Sequence, residues 1–136
     1  MRVLITGADE TFLEILQSYL WDRGHETEIA TTGLECMAIV REFVPEVLVL
    51  GDELLWGGCD GVLALMGESF ALVPKSVILI SENRHYRSLP LGLRWSIVKI
   101  LHKPFRLGDL TACIDDANRT TKSGRAPYHW TAGAHH

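Results

Sequence analysis

The sequence predicts an α/β protein whose core is a doubly wound, five-stranded parallel sheet with helices on both faces. Short apolar runs alternate with amphipathic helical patterns through residues 1–119, five of each. Such alternation implies parallel strands that are joined by helical crossovers. The run at residues 46–50 is unbroken, which is typical of a strand buried on both faces. Residues 1–119 are therefore expected to form one domain.

The first half of this domain contains three predicted strands and two predicted helices. The first helix, residues 11–23, has apolar side chains on one face, and either Asp9 or Thr11 can cap its start. Gly24 is expected to end it. The second helix begins at residue 32 or 33 and ends near residue 43. The strands are predicted at residues 3–6, 26–30 and 46–50.

The second half repeats the pattern with weaker signals. A loop at residues 51–59 leads into a predicted helix at 60–70, and a polar helical stretch at 82–89 ends at Pro90. The remaining elements are predicted strands at 76–81 and 97–101 and a last helix at 107–118. From residue 120 the composition becomes polar. Residues 120–136 are therefore expected to form a flexible tail, with no second domain after it.

The composition narrows the class of protein. With 47% hydrophobic and 22% charged residues, the 136-residue chain is globular. A net charge of -4 argues against nucleic acid as the main partner. No apolar run is long enough to span a membrane and no signal peptide is evident, so a cytoplasmic protein without a membrane partner is expected. The cysteines Cys36, Cys59 and Cys113 lack metal-ligand spacing and are expected to be reduced thiols.

Three strand ends carry the residues that bear on function. The first strand leads into Gly7 and Ala8, the third into Gly51, and the fifth into Lys103 and Pro104. In a doubly wound parallel sheet, the carboxyl ends of the strands meet at one edge. Ligands bind at that edge, near the point where the strand order reverses.

These strand ends resemble the receiver domain of bacterial two-component response regulators, whose fifth strand also closes with Lys-Pro. The resemblance covers residues 1–119 and implies the flavodoxin-like strand order 2-1-3-4-5 and a role in phosphorelay signal transduction. In that family, the first strand ends in two acids and the third in the phospho-accepting Asp. By the resemblance, Lys103 and Ser81 match the residues that contact the phosphoryl group. The Lys103-Pro104 bond matches one that the family usually holds in cis.

The acids of the family pattern are missing here, since the matching positions read Gly7, Ala8 and Gly51. Receivers need Mg²⁺, which prefers carboxylate and other oxygen ligands. Asp9 is one place late and is expected to cap the first helix. We therefore expect a degenerate phosphorylation pocket with no cofactor, no metal and no enzymatic activity.

Asp52 and Glu53 directly follow Gly51 and leave an alternative open. Successive strand residues point to opposite faces, so Asp52 would need a loop or bulge to reach the pocket. Counting along the strand makes Gly51 the match, whereas counting back from Asp60 makes it Glu53. The loop at 54–61 resembles a longer loop of some receivers, which favours Gly51. In the alternative, a histidine kinase phosphorylates Asp52 or Glu53 with the help of Mg²⁺.

A protein-binding surface is the other expected feature. In receivers, the fourth helix, fifth strand and fifth helix commonly mediate dimers and partner contacts. Here that surface should include Tyr86, Arg87, Leu91, Leu93, Trp95 and Ile100. Ile100 also occupies the place of an aromatic residue that reports phosphorylation in the family. Trp56, in a glycine-rich loop, is a second candidate for an exposed anchor.

Three functional hypotheses follow. The first is a pseudo-receiver that binds a protein partner independently of phosphorylation. That partner would be a histidine kinase, another signalling protein or a second copy in a homodimer. The second is the working receiver described above. The third is a small-molecule binder that reuses the emptied pocket.

Overall fold

The computed structural model describes residues 1–51, 74–81, 97–102, 105–123 and 129–132. Within these ranges, the five predicted strands and three of the five predicted helices are present. The elements are β1 (Arg2–Thr6), α1 (Glu10–Asp22), β2 (Glu26–Ala30), α2 (Gly33–Phe43), β3 (Val47–Gly51), β4 (Ser76–Ser81), β5 (Ile97–His102), α3 (Leu107–Ser123) and β6 (His129–Ala132). The predicted helices at 60–70 and 82–89 lie outside the described residues.

All described strands run parallel in a single sheet of order β2-β1-β3-β4-β5-β6. The predicted five-stranded sheet with order 2-1-3-4-5 is confirmed. The sequence did not predict β6, which adds a sixth strand beside β5 from within the expected tail. Its four residues lack a long apolar run, so a local pattern could not identify it. The domain boundary at residue 119 stays a prediction, although α3 itself extends to Ser123.

The ends of α1 and α2 follow local sequence signals. Of the two predicted caps for α1, Asp9 is the one used, and its carboxylate accepts a hydrogen bond of 3.2 Å from the Phe12 amide. Gly24 follows the end of α1 with φ +88°, a left-handed conformation that glycine adopts without strain. At α2, Thr32 accepts from the Glu35 amide at 3.1 Å. The Glu35 carboxylate accepts in turn from the Thr31 amide at 3.0 Å.

The sheet has a hydrophobic core on each face, because alternate strand residues point to opposite sides. On one face, the strands pack with α2 through Leu4, Leu48, Leu50, Val77, Leu79, Cys36, Met37 and Val40. On the other face, they pack with α1 and α3 through Val3, Ile5, Val47, Val49, Ile78, Ile80, Leu101, Leu13, Leu16, Leu20, Leu110, Cys113, Ile114 and Ala117. Among the described helices, none is long and apolar enough to cross a membrane.

Candidate functional site

The carboxyl ends of β1 and β3 lie side by side at one edge of the sheet. A Cβ atom on Gly51 would lie 3.8 Å from the Cα atom of Gly7. β4 and β5 end at the same edge, where Ser81 pairs in register with His102. The predicted convergence of these strand ends is therefore present in the backbone. Lys103 follows His102 directly in the sequence but lies outside the described residues.

The Thr6 hydroxyl connects the ends of β1 and β3. The backbone pairing of these strands extends to Ile5 and Val49. Beyond that pair, Thr6 Oγ1 donates to the Val49 carbonyl at 2.9 Å and accepts from the Gly51 amide at 3.2 Å. Thr6 is buried, so this side chain satisfies two backbone groups that water cannot reach. The sequence reasoning missed this role, because a threonine at a strand end gives no signal that distinguishes it.

The two glycines at this edge are not required by the backbone. Neither Gly7 nor Gly51 has a positive φ. A Cβ on Gly7 would meet the Leu13 side chain at 3.6 Å, an ordinary contact. A Cβ on Gly51 would approach the Thr6 carbonyl oxygen at 3.4 Å, the short limit of ordinary contact. A Cβ atom can therefore be accommodated at both positions, so the backbone does not demand glycine at either.

Among the residues that the structure describes, carboxylates are scarce at this edge. The six described strands end in Thr6, Ala30, Gly51, Ser81, His102 and Ala132, none of which is acidic. Asp9 is exposed, and its carboxylate caps α1. Within the described ranges, no group of three His, Cys, Asp or Glu side chains could hold a metal ion.

The remaining predicted site residues lie partly within and partly outside the described ranges. Ser81 ends β4 as expected from its sequence position, and Ala8 is exposed beside Gly7. Ile100 is half-buried and packs against the core on the α2 face. The predicted residues outside the described part of the chain are Asp52, Glu53, Trp56, Tyr86, Arg87, Leu91, Leu93, Trp95, Lys103 and Pro104.

An ion pair with a buried lysine, which the sequence did not predict, links β5 to α3. Lys99 of β5 is only 1% exposed, and its ammonium group donates a hydrogen bond to the Asp116 carboxylate of α3. Arg119 donates to the same carboxylate at 3.2 Å. Burial opposes ionisation of Asp116, but the hydrogen bonds and charges of Lys99 and Arg119 outweigh it. The pKa of Asp116 is therefore lowered.

This pair joins α3 to the sheet. Lys99 lies on the same face of β5 as Leu101, which packs against the α3 side of the core. Cys113, one helical turn before Asp116, is a free, buried cysteine. Burial raises the pKa of its thiol, against the opposing effect of the Lys99 charge. The one sign of this pair in the sequence is the position of Lys99 within the apolar strand β5.

Solved receiver domains have the same architecture. A signal receiver domain from Vibrio parahaemolyticus is similar with a TM-score of 0.74 and 18% identity, over 90% of this chain and 93% of that one. The receiver domain of a Francisella response regulator has a TM-score of 0.72 and 19% identity, over 88% and 98% of the two chains. The BeF3-activated N-terminal receiver domain of RstA from Klebsiella pneumoniae has a TM-score of 0.66 and 12% identity, over 88% and 99%.

No family model matches the sequence, and no curated protein matches it. The similarity to solved receiver domains is consistent with the strand order, the parallel pairing and the convergence of the strand ends in this chain. It also agrees with the resemblance that the sequence shows at Lys103-Pro104. This chain has the fold of the response regulator receiver domains.

Proposed function

We propose that this chain is a receiver-like domain of two-component signalling that binds a protein partner without being phosphorylated. The observation that carries the proposal is the pair of glycines at the ends of β1 and β3. Gly7 and Gly51 lie side by side where the resemblance places the metal-binding and phospho-accepting acids. A glycine offers no oxygen for Mg²⁺ and no carboxylate for a phosphoryl group.

The framework around the two glycines is intact. The acids can therefore be missing without any disruption of the fold. The Thr6 hydroxyl holds the end of β1 to the end of β3. Each face of the sheet carries a cluster of buried apolar residues, and the Lys99–Asp116 pair links α3 to β5. A domain that keeps this framework but lacks the acids can still act by binding other proteins through its surface.

The partner in this proposal is a protein. A histidine kinase or another signalling protein would suit the fold, and a second copy of the chain is the other candidate. The net charge of -4 disfavours nucleic acid as the main ligand. The proposal includes no enzymatic reaction and no cofactor, and it places the protein in the cytoplasm, where two-component receivers work.

The competing hypothesis is phosphorylation of Asp52 or Glu53, which directly follow the end of β3 in the sequence. It would require Mg²⁺, with ligands drawn from these acids and from water. Its distinguishing property is a mass increase after incubation with a small phosphoryl donor.

Intact-mass spectrometry after incubation with acetyl phosphate and Mg²⁺ tests both hypotheses. We expect the wild-type chain to remain unmodified, while a receiver with all of its acids, treated in parallel, takes up one phosphoryl group. A phosphoryl adduct that maps to Asp52 or Glu53, and that disappears in Asp52→Asn or Glu53→Gln, would contradict the proposal. Such an adduct would establish the working receiver instead.

A further inference from the structure

The edge of β5 is covered by a short strand from the same chain. Val98, Lys99, Ile100 and Leu101 pair in parallel register with residues 129–132. Without β6, β5 would be the edge strand of the sheet and would present unpaired backbone N–H and C=O groups. Such an edge is a template on which another extended segment can pair.

β6 is the shortest strand that the structure describes. It has four residues in register with β5, whereas β4 and β5 share six register pairs on the other side. β6 is also the outermost strand, and its only strand partner in the described sheet is β5. A strand of four residues with one neighbour has few backbone hydrogen bonds to lose when it detaches.

The rest of the domain is held together without β6. α3 packs on the sheet through buried Leu110, Ile114 and Ala117. The Lys99–Asp116 pair adds a link between α3 and β5 that involves no residue of β6. β5 keeps its pairing with β4 along its whole length. None of these contacts is made by residues 129–132, so all of them can persist when β6 is released.

We propose that β6 is an exchangeable edge strand, and that residues 129–132 of a second copy of this chain can take its place on β5. The β5–β6 pairing indicates which segment would bind. Residues 129–132 of another molecule can make the same parallel pairing with β5 in the same register. Exchange of an identical element between two copies is a low-cost route to a dimer. When each copy donates its strand to the other, the assembly closes as a symmetric pair.

The connection after α3 limits the geometry of this dimer. Five residues, 124–128, separate the end of α3 from the start of β6 in the sequence. A chain of that length spans at most about 20 Å when fully extended. Each strand must therefore reach the partner from close to its own α3. The β5 edges of the two copies must face each other.

Full-length variants separate backbone pairing from side-chain effects. Trp130→Pro combined with Thr131→Pro removes two adjacent N–H donors. Since alternate residues of a parallel strand direct their N–H group to a given neighbour, at least one lost donor faces β5. Trp130→Ala combined with Thr131→Ala is the matched control, because it removes the same side chains and keeps both donors.

The first measurement uses a fluorescent synthetic peptide of residues 124–136 and the full-length double-proline variant. We expect saturable binding by fluorescence anisotropy, because the variant's own strand no longer occupies β5. Unlabelled peptide should compete, and a peptide with both prolines should bind roughly tenfold more weakly or worse, since it lacks a ladder hydrogen bond. Absence of binding to a variant that still unfolds cooperatively would overturn the proposal.

The second measurement is light scattering at increasing protein concentration. We expect a dimer fraction that rises with concentration for the wild type and the double-alanine control, and none for the double-proline variant. A dimer that persists in the proline variant would place the interface elsewhere and overturn the exchange. These outcomes are independent of phosphorylation, so they do not depend on the proposed function.

If the proline variant does not fold, hydrogen exchange in the wild type decides the question. We expect the amides that join β5 to β6 to exchange through a local opening, faster than those that join β3 to β4. Exchange of both sets only through global unfolding would show that β6 does not detach, and the proposal would fail.

Discussion

The ammonium group of Lys99 and the carboxylate of Asp116 form an ion pair between β5 and α3, with Lys99 almost wholly buried. The pair links the penultimate strand of the sheet to the helix that follows it in the chain. Leu110, Ile114 and Ala117 of the same helix belong to the buried apolar cluster on this face of the sheet. A charge at this depth depends on its partner, since desolvation of an isolated ammonium group is costly.

Removal of the carboxylate should therefore destabilise the domain. We expect Asp116→Asn to lower the free energy of unfolding by about 2–3 kcal/mol. This is below the range for fully buried pairs, because the Asp116 side chain is 31% exposed. Urea unfolding measures the change. Lys99→Met combined with Asp116→Leu should recover most of the loss, whereas Arg119→Ala, at a side chain that is 71% exposed, should cost less than about 1 kcal/mol. Equal losses in Asp116→Asn and Arg119→Ala would contradict the assignment.

The same pair should make stability depend on acid pH. The pKa of Asp116 is lowered from its ordinary value of 3.8, so the unfolded chain binds this proton more readily than the folded one. The stabilisation is therefore complete above about pH 5 and is lost as pH falls through the folded pKa. The pKa of Glu35 is lowered as well, chiefly by a hydrogen bond from the Thr31 amide. The difference in unfolding free energy between wild type and Asp116→Asn isolates Asp116, and it should shrink as pH falls. A difference that stays constant from neutral to strongly acid pH would argue against an ionised Asp116.

The hydroxyl of Thr6 should matter more than its methyl group. Thr6→Val keeps the shape but leaves the Gly51 amide and the Val49 carbonyl without this buried partner. We expect a loss of about 1–3 kcal/mol in the free energy of unfolding. Thr6→Ser keeps the hydroxyl and should retain most of the stability. Chemical denaturation of the three proteins gives the comparison, and a Thr6→Ser loss as large as that of Thr6→Val would point to packing instead.

Val44 is held in a conformation that suits glycine. It has φ 48° and ψ 66°, in the left-handed region, and it is exposed. Arg2 Nε donates to its carbonyl at 2.9 Å, which helps to hold this turn after α2. Val44→Gly should be more stable than Val44→Ala by about 1 kcal/mol, because alanine keeps the Cβ that clashes in this region. Thermal unfolding of both variants tests this, and equal stabilities would mean that the turn relaxes without strain.

Acids at positions 7, 8 and 51 should allow Mg²⁺ binding and phosphorylation if the missing acids are the sole reason that the chain is not phosphorylated. Gly51 and Gly7 both have room for a Cβ. We expect Gly7→Asp, Ala8→Asp and Gly51→Asp together to bind Mg²⁺ and to accept a phosphoryl group from acetyl phosphate, as read by intact mass. The same triple variant with Gly51→Asn is the control, because it has no acceptor carboxylate. A folded triple variant that stays unmodified would show that further parts of the site have been lost.

The local pattern of the sequence determined much of the fold. Apolar runs and helical periodicity predicted β1 to β5, α1, α2 and α3, because these signals arise within a few residues. The caps were also local, although the choice of Asp9 over Thr11 required the structure. The family resemblance at the strand ends predicted the strand order and drew attention to Gly7 and Gly51.

Only the tertiary structure decided which distant groups meet. The Thr6 hydroxyl reaches Gly51, 45 residues away, because parallel pairing sets the register of β1 and β3. Lys99 is paired rather than exposed because α3 packs on its side of the sheet and brings Asp116 to it. β6 exists as a strand because β5 offers it an edge, and no periodicity within four residues could reveal that. Secondary structure can be predicted from short-range patterns in the sequence. Burial and pairing depend on contacts that form only when the sheet assembles.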